Sequence, residues 1–527
     1  MEGSFSLRIK RLLLFIQNDK IAILILTLIT LGTRMFRLSF HDIWYDEAYS
    51  FFGAIGFFKN AQIFDFNPFI YPWFLKNWTS FFGNSLFSLR LPSAFFSAAS
   101  LYPLFRLVAM VGNRKAAWLV SLIFILSPFQ IWYSQEARSY SFIIFEAILF
   151  WYVFTRYVAA PRIRYAYSCF FVLVLSVCTD YRLGFFLLFF VVLHFRSLDK
   201  RLAFFCMAAL LVSLVLCLRV FMAQADFFKQ ISFWAPVPLW ISPLITFNNM
   251  LFGYNRLPFF NSISLSLTAV LLIILGLAHG PRMGMIKSLV FLPVVFGFVF
   301  SKLSVSIYVD RFFAFISPFF YVGLILSLNS LKNLFLKKAL FAALFLPLIA
   351  AAIFYYTDTN EERCLRAGEF WSRMHVGVPF KHPYQAAVRF LTGHYQRHEC
   401  ILFSNRDFPL PFQYYSFFVN NNRGASKDEM THKLVCVPEF MAKNFFESRI
   451  AAKFSKEASM QVLSEGWLEG NKREGISRYW LVTTTWYRGQ AVEHTANAFL
   501  VRSFMSRCCR KIKTFEIDGI TVDLFEF

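Results

Sequence analysis

Three carboxylates, Asp42, Asp46 and Glu47, crowd the short stretch His41–Ser50 (HDIWYDEAYS), directly after the first long apolar run. Trp44, Tyr45 and Tyr49 stand among them, and such aromatic side chains favour the edge of a bilayer. Acidic groups at that depth are costly to desolvate, so the cluster asks for a chemical reason. A carboxylate there can take the proton of an attacking hydroxyl or give one to a leaving group. Four arginines complete a chemical set: Arg90, Arg138, Arg182 and Arg311 each border an apolar run. Guanidinium forks match phosphate oxygens, so arginines collected at one boundary fit an anionic ligand. Taken singly, each is explained as well by snorkelling or by pairing, Glu136 with Arg138 or Asp310 with Arg311.

The elements that must position these groups are membrane spans. Of the 527 residues, 57% are hydrophobic and only 16% charged, and 71 are Phe. The mean hydropathy is +0.51. A water-soluble domain carries about 25% charged residues, so most of this chain is built for lipid. The formal net charge of +22 is dispersed between apolar runs. It reads as topology signals and anionic-lipid contacts rather than as a nucleic-acid surface. Apolar runs near 21–38, 88–111, 115–134, 140–158, 165–180, 183–196, 203–221, 263–279, 288–308, 312–330 and 338–356 give about eleven spans. The pair flanking Thr179–Arg182 reads either as two spans or as one long bent helix. No small-residue cleavage site follows the first run, which therefore reads as an uncleaved span. With the N-terminus in the cytoplasm, Arg114, Lys115, Arg156, Arg162, Arg164, Arg196, Lys200, Arg201, Arg282, Lys287, Lys332, Lys337 and Lys338 all fall in inside loops. That satisfies the positive-inside rule and puts the C-terminus outside. The loops 39–87 and 222–262 and the tail 357–527 are then external, and the four arginines gather at the outer boundary. Arg34 and Arg37 read as headgroup contacts.

The tail is polar enough to fold in water. A helical pattern over 383–395 precedes short strands at 400–404 and 479–483, which predicts a small α/β domain. Cys169, Cys178, Cys206 and Cys217 lie inside apolar runs and read as core residues. Cys364, Cys400, Cys436, Cys508 and Cys509 lie in the tail, and their pairing cannot be read from spacing.

Several fragments resemble a known family when taken in order. Ile43–Ser50 (IWYDEAYS), Phe87–Ser93 (FSLRLPS) and Leu126–Tyr140 (LSPFQIWYSQEARSY) follow one another at its spacing. Together they resemble the GT-C glycosyltransferases of the protein O-mannosyltransferase and lipid A aminoarabinose transferase type, closest to bacterial relatives that modify envelope glycans. Asp310–Pro318 (DRFFAFISP) is similar to the family's later Arg-aromatic segment, with Phe312 where Tyr is common. The first 330 residues carry the resemblance and the tail does so only loosely. Where the family often has His-Pro-Pro-Leu-Tyr, this chain reads Asn67–Tyr71 (NPFIY), so no His stands there. Asp65 is a substitute for it or a loop-turn residue.

The resemblance implies a GT-C bundle, mainly α, of about eleven spans over residues 1–356 and an extracytoplasmic α/β domain over 357–527. It implies a bacterial inner-membrane enzyme that moves a sugar from a polyprenyl-phosphate donor to a glycolipid or glycan acceptor. Asp46 aligns with the family's acidic residue and becomes the general base, with Glu47 beside it orienting arginines or the sugar. Arg138, Arg311 and Arg90 would hold the donor phosphate as charge develops on it. Gln135, Glu136 and Tyr133 are supporting residues or simply pack at an interfacial turn. Direct displacement by one base predicts inversion, and the absence of a P-loop or Rossmann fingerprint fits a donor that is not a nucleotide. No cofactor is required, although Mg²⁺ or Mn²⁺ held by Asp46 and Asp65 is compatible with the donor sets of those ions.

Other readings stand beside these. Asp46 also suits a helix N-cap, Asp42 a cap or surface residue. Trp44, Trp73, Trp78 and Trp132 suit an aromatic belt, and His41 makes a poor metal ligand without partners. A protein O-mannosyltransferase-like enzyme is the alternative activity. A transporter or flippase of a lipid-linked anion is the alternative class, although transporters usually place their charges at the midplane.

Overall fold

The computed structural model describes residues 19–55, 68–193, 199–230, 238–253, 257–276, 281–304, 308–357, 384–396, 399–403, 409–419, 433–436, 459–460, 465–484, 501–517 and 520–527. In chain order the helices of the first part are α1 Asp19–Met35, α2 Tyr45–Ala54, α3 Ile70–Phe82, α4 Leu86–Ala99, α5 Leu101–Val111, α6 Arg114–Leu126, α7 Pro128–Ser134, α8 Tyr140–Ala159, α9 Ile163–Thr179, α10 Tyr181–Leu193, α11 Lys200–Gln230, α12 Ser242–Phe252, α13 Phe259–Leu275 and α14 Pro281–Leu303. A 3-10 turn Asp310–Ile316 then leads into α15 Ser317–Ser330 and α16 Leu334–Thr357. The described residues of the eleven apolar runs fall mainly on these helices. Six described helical segments are long and apolar enough to cross a membrane, two of them joined pairs (α4 with α5, the 3-10 turn with α15), and the bent pair α6 with α7 makes a seventh.

Local chemistry sets the breaks. Pro128 opens α7 while the Ser127 hydroxyl accepts from the Gln130 amide, and the chain turns by 61° between α6 and α7. Gly83, at φ 76°, ends α3 in a conformation that favours glycine, and Ser85 caps α4 two residues later. At Asp180 the backbone is extended, so the segment around Thr179–Arg182 is a break between two helices rather than one bent helix.

Beyond α16 the described residues form α17 Tyr384–His394, β1 Glu399–Phe403, α18 Pro409–Val419, β2 Lys433–Cys436, β3 Ser459–Met460, α19 Glu465–Arg473, β4 Arg478–Thr484, β5 Arg510–Ile517 and β6 Ile520–Glu526. The strands make one mixed sheet of order β3-β2-β1-β4-β6-β5. The β3-β2-β1-β4 portion is parallel and the two final pairings are antiparallel. Central strands β1 and β4 are buried on both faces, which is why ECILF and RYWLVTT read as nearly continuous apolar runs. One face packs on α19 and the helical residues 501–508 through Trp467, Leu468, Val501 and Met505. The other face shares a single core with α17, α18 and the helices α2 and α3, joining Phe403, Trp480 and Val522 to Ile43, Phe51, Phe52 and Tyr71. The tail is therefore packed onto the very segment that carries the acidic cluster.

Candidate active site

The helix α2 presents its first two carboxylates in opposite directions. Trp44 is the N-cap, so Asp46 lies inside the first turn and is no cap, and it is Glu47 that accepts from the Trp44 amide, at 3.4 Å. Glu47 turns inward. Its two oxygens receive Nε and Nη2 of Arg90, each at 2.8 Å, and Oε1 also accepts from the Ala137 amide at 2.8 Å. Arg90 gives its remaining donors to the carbonyls of Leu38 (2.9 Å), His41 (2.6 Å) and Asp42 (3.0 Å). All five N–H groups of that guanidinium are thus engaged within the chain, a fork geometry that only arginine supplies. Its place on α4 thereby fixes the loop 38–47 against the span, and leaves it no donor for a phosphate.

Asp46 turns toward the other arginines. Its Oδ2 lies 3.3 Å from Nη2 of Arg311, with the two side chains 20% and 10% exposed. Arg311 also stands 5.5 Å from the centre of the Trp44 ring. Arg138 reaches the same turn from the α7–α8 corner, donating to Ser50 Oγ (2.7 Å) and to the Asp46 carbonyl (3.4 Å). The Tyr140 hydroxyl lies within electrostatic range of Arg311, Arg138, Asp46 and Glu136. Arg182, at the start of α10, faces Arg138 and Tyr140 in the same way and stacks 4.0 Å above the Phe312 ring. Asp180 holds it, accepting from the Arg182 amide (2.8 Å) and from Nε (2.9 Å). Segments from α2, the α7–α8 corner and the 3-10 turn thus bring Arg311 to the Asp46 carboxylate and Arg138 to its backbone carbonyl, while Arg182 on α10 stands beside Arg138 and Tyr140. Asp310, expected as a partner for the Arg311 side chain, accepts instead from the Arg311 amide (2.7 Å) and from Asn249 (2.8 Å).

The supporting residues separate. Glu136 is buried, within electrostatic range of both Tyr140 and Arg90. The Tyr133 ring packs edge-on against Tyr140, 4.8 Å away, and lies in range of Arg311. Gln135 is turned away, donating to the Arg34 and Phe36 carbonyls and accepting from the Tyr355 hydroxyl, so it ties α1 to α16. Asp65 and Asn67 lie outside the described residues. Among the described residues no three His, Cys, Asp or Glu side chains gather as a metal site.

Sequence reading did not single out Ser50, Tyr140 or the Asp180 clamp, and it left Arg182 in a group. An Asp two residues before an Arg at a helix start was the available signal for the clamp. Nor did it anticipate the latch from the tail. Asp42 Oδ2 accepts from the Gln385 amide (2.7 Å) in the first turn of α17, and the Tyr415 hydroxyl of α18 accepts from the Ile43 amide (2.9 Å). Burial pushes the Asp42 carboxyl above its ordinary range, against hydrogen bonds from Gln385 and Tyr415 that favour the charged form.

Residues 67–222 match the sequence model of the dolichyl-phosphate-mannose-protein mannosyltransferases, less than half of the chain. No curated protein matches. Among solved structures the chain is similar to ArnT from Cupriavidus metallidurans in the apo state, at 10% identity and a TM-score of 0.59, over 95% of this chain and 97% of that one. It is equally similar to the same protein bound to undecaprenyl phosphate, at 11% identity and a TM-score of 0.59, over 96% and 98%. The chain has the GT-C glycosyltransferase fold. With its apolar helices, this makes it a multi-pass membrane protein. Neither likeness decides a substrate at such identities.

Proposed function

We propose that this GT-C chain is an inverting glycosyltransferase that moves a sugar from a polyprenyl-phosphate donor to an envelope glycolipid or glycan on the outer face of a bacterial cytoplasmic membrane. The observation that carries the reading is the meeting of Asp46 with Arg311 and Arg138 from segments far apart in sequence, with Arg182 beside Arg138. Asp46 is the base that takes the acceptor hydroxyl proton as the oxygen attacks the anomeric carbon. The bond from that carbon to the phosphate oxygen breaks, and the phosphate leaves with its charge held by the arginines. Arg311 turns from Asp46 to the phosphate as donor enters, which frees the carboxylate for the proton. Glu47 and Arg90 hold α2 in place, and the chain divides near residue 357 into a membrane part and an extracytoplasmic domain that braces α2. The similarity to a protein solved with undecaprenyl phosphate supports a polyprenyl-phosphate donor.

The family match favours a second reading, with protein Ser/Thr hydroxyls as acceptor. Mass spectrometry of envelope glycolipids from a deletion strain separates the two. A loss of one sugar unit from a glycolipid supports the first, and unchanged glycolipids with lost protein glycosylation support the second. Asp46→Asn tests the chemistry: turnover falls while abundance and membrane insertion stay. Full activity in that variant removes Asp46 as base.

A further inference from the structure

Helices α9 and α11 lie side by side, and each carries two cysteines on the facing side. Both helices begin within clusters of basic residues, Arg162 and Arg164 for one and Lys200 and Arg201 for the other, so they run parallel from the same membrane face. Cys169 and Cys206 are each six residues into their helix, about 9 Å along the axis. They lie within electrostatic range of one another. Cys178 and Cys217 are 15 and 17 residues in, about 23 and 26 Å along. Their sulfurs are in contact, 3.7 Å apart, and both residues are buried. One pair therefore sits toward the basic face and the other near the opposite boundary.

We infer that Cys178 and Cys217 are a modification site, joined as a disulfide in the mature protein, while Cys169 and Cys206 remain thiols. The inference rests on the orientation in the proposed function, which turns the Cys178 end of α9 toward an oxidising compartment and its other end toward a reducing one. The reaction needs an extracytoplasmic protein disulfide as oxidant. One thiolate attacks a sulfur of that disulfide, the second displaces the mixed disulfide, and the oxidant leaves as a dithiol with the two electrons and two protons. Burial of the finished pair requires the exchange to precede close packing of α9 against α11. The bond acts where the site needs stiffness: Cys178 precedes Asp180 by two residues, and Asp180 grips Arg182. A cross-link to α11 holds that corner in place whether or not donor is bound.

The test uses the full chain in membranes from cells with an oxidising envelope, quenched in acid, denatured and alkylated with a maleimide without reductant. Mass spectrometry of the digest is expected to find the Cys178 and Cys217 peptides linked and two hydrogens lighter, with Cys169 and Cys206 carrying the maleimide. Maleimide on both Cys178 and Cys217 overturns the inference, and so does a disulfide between Cys169 and Cys206. Reductant is further expected to lower the melting temperature of the wild-type chain and to leave that of a Cys178→Ser, Cys217→Ser variant unchanged. Equal response of both chains overturns a stabilising role. Turnover measured on the same membranes keeps the two proposals apart: free thiols with full turnover sink the disulfide alone, and linked cysteines without turnover sink the transferase alone.

Discussion

The neighbouring carboxylates Asp46 and Glu47 should fail in different ways when each is removed. Glu47 is fully buried and Arg90 is 1% exposed, and together they hold two charged hydrogen bonds of 2.8 Å. Glu47→Ala leaves a buried guanidinium without its counter-charge, which costs about 3–5 kcal/mol. The Ala137 amide loses its acceptor as well, worth about 1–3 kcal/mol if it finds no other. Asp46 shares one ion pair of 3.3 Å at a wetter position. That pair makes one longer contact where Glu47 and Arg90 make two short ones, and it is less completely buried, so Asp46→Asn costs less stability than Glu47→Ala. Loss of a general base lowers turnover by roughly 10²–10⁴-fold. Thermal unfolding of detergent-purified variants, read beside turnover per folded molecule with a polyprenyl-phosphate sugar, separates these effects. A Glu47→Ala protein that melts like wild type yet loses turnover as Asp46→Asn does would refute the division of roles.

Other consequences can be measured independently. Arg138→Ala removes a donor facing Asp46 and should lower kcat by about 10²–10³-fold with abundance unchanged; an undiminished rate excludes it from the site. Asp180→Asn frees Arg182 and should raise the KM for donor more than it lowers kcat, a split that an unfolding defect would not produce. Tyr415→Phe deletes the hydroxyl between Asp42 and the Ile43 amide, and a loss of about 1–3 kcal/mol should make the tail more sensitive to protease. Because burial raises the Asp42 pKa above 3.8, the folded state holds that proton where the unfolded chain has lost it. Stability from this group is full below 3.8 and falls as pH rises through the folded value, so Asp42→Asn should flatten the fall of the melting temperature as pH rises above 3.8. Parallel pH profiles for the two proteins would show that Asp42 does not titrate in that window.

The sequence by itself determined that the chain is made for a bilayer, where its apolar runs lie, and which acidic and basic residues stand beside them. Those properties are local. Transfer of an apolar run into lipid depends on the residues of that run, and the charged residues that flank it are read off the chain directly. The α/β character of the tail was legible for the same reason, since strands β1 and β4 announce their burial by composition. Only the tertiary structure decided which arginine meets which acid. Arg90 and Arg311 are both arginines at the start of a span, yet one is saturated by Glu47 and three carbonyls, and the other faces Asp46. That difference is set by how α4 and the 3-10 turn pack around α2, a matter of contacts across tens to hundreds of residues that periodicity cannot encode. The docking of α17 and α18 onto Asp42 and Ile43 belongs to the same class, because a hydrogen bond spanning more than three hundred residues leaves no local pattern behind.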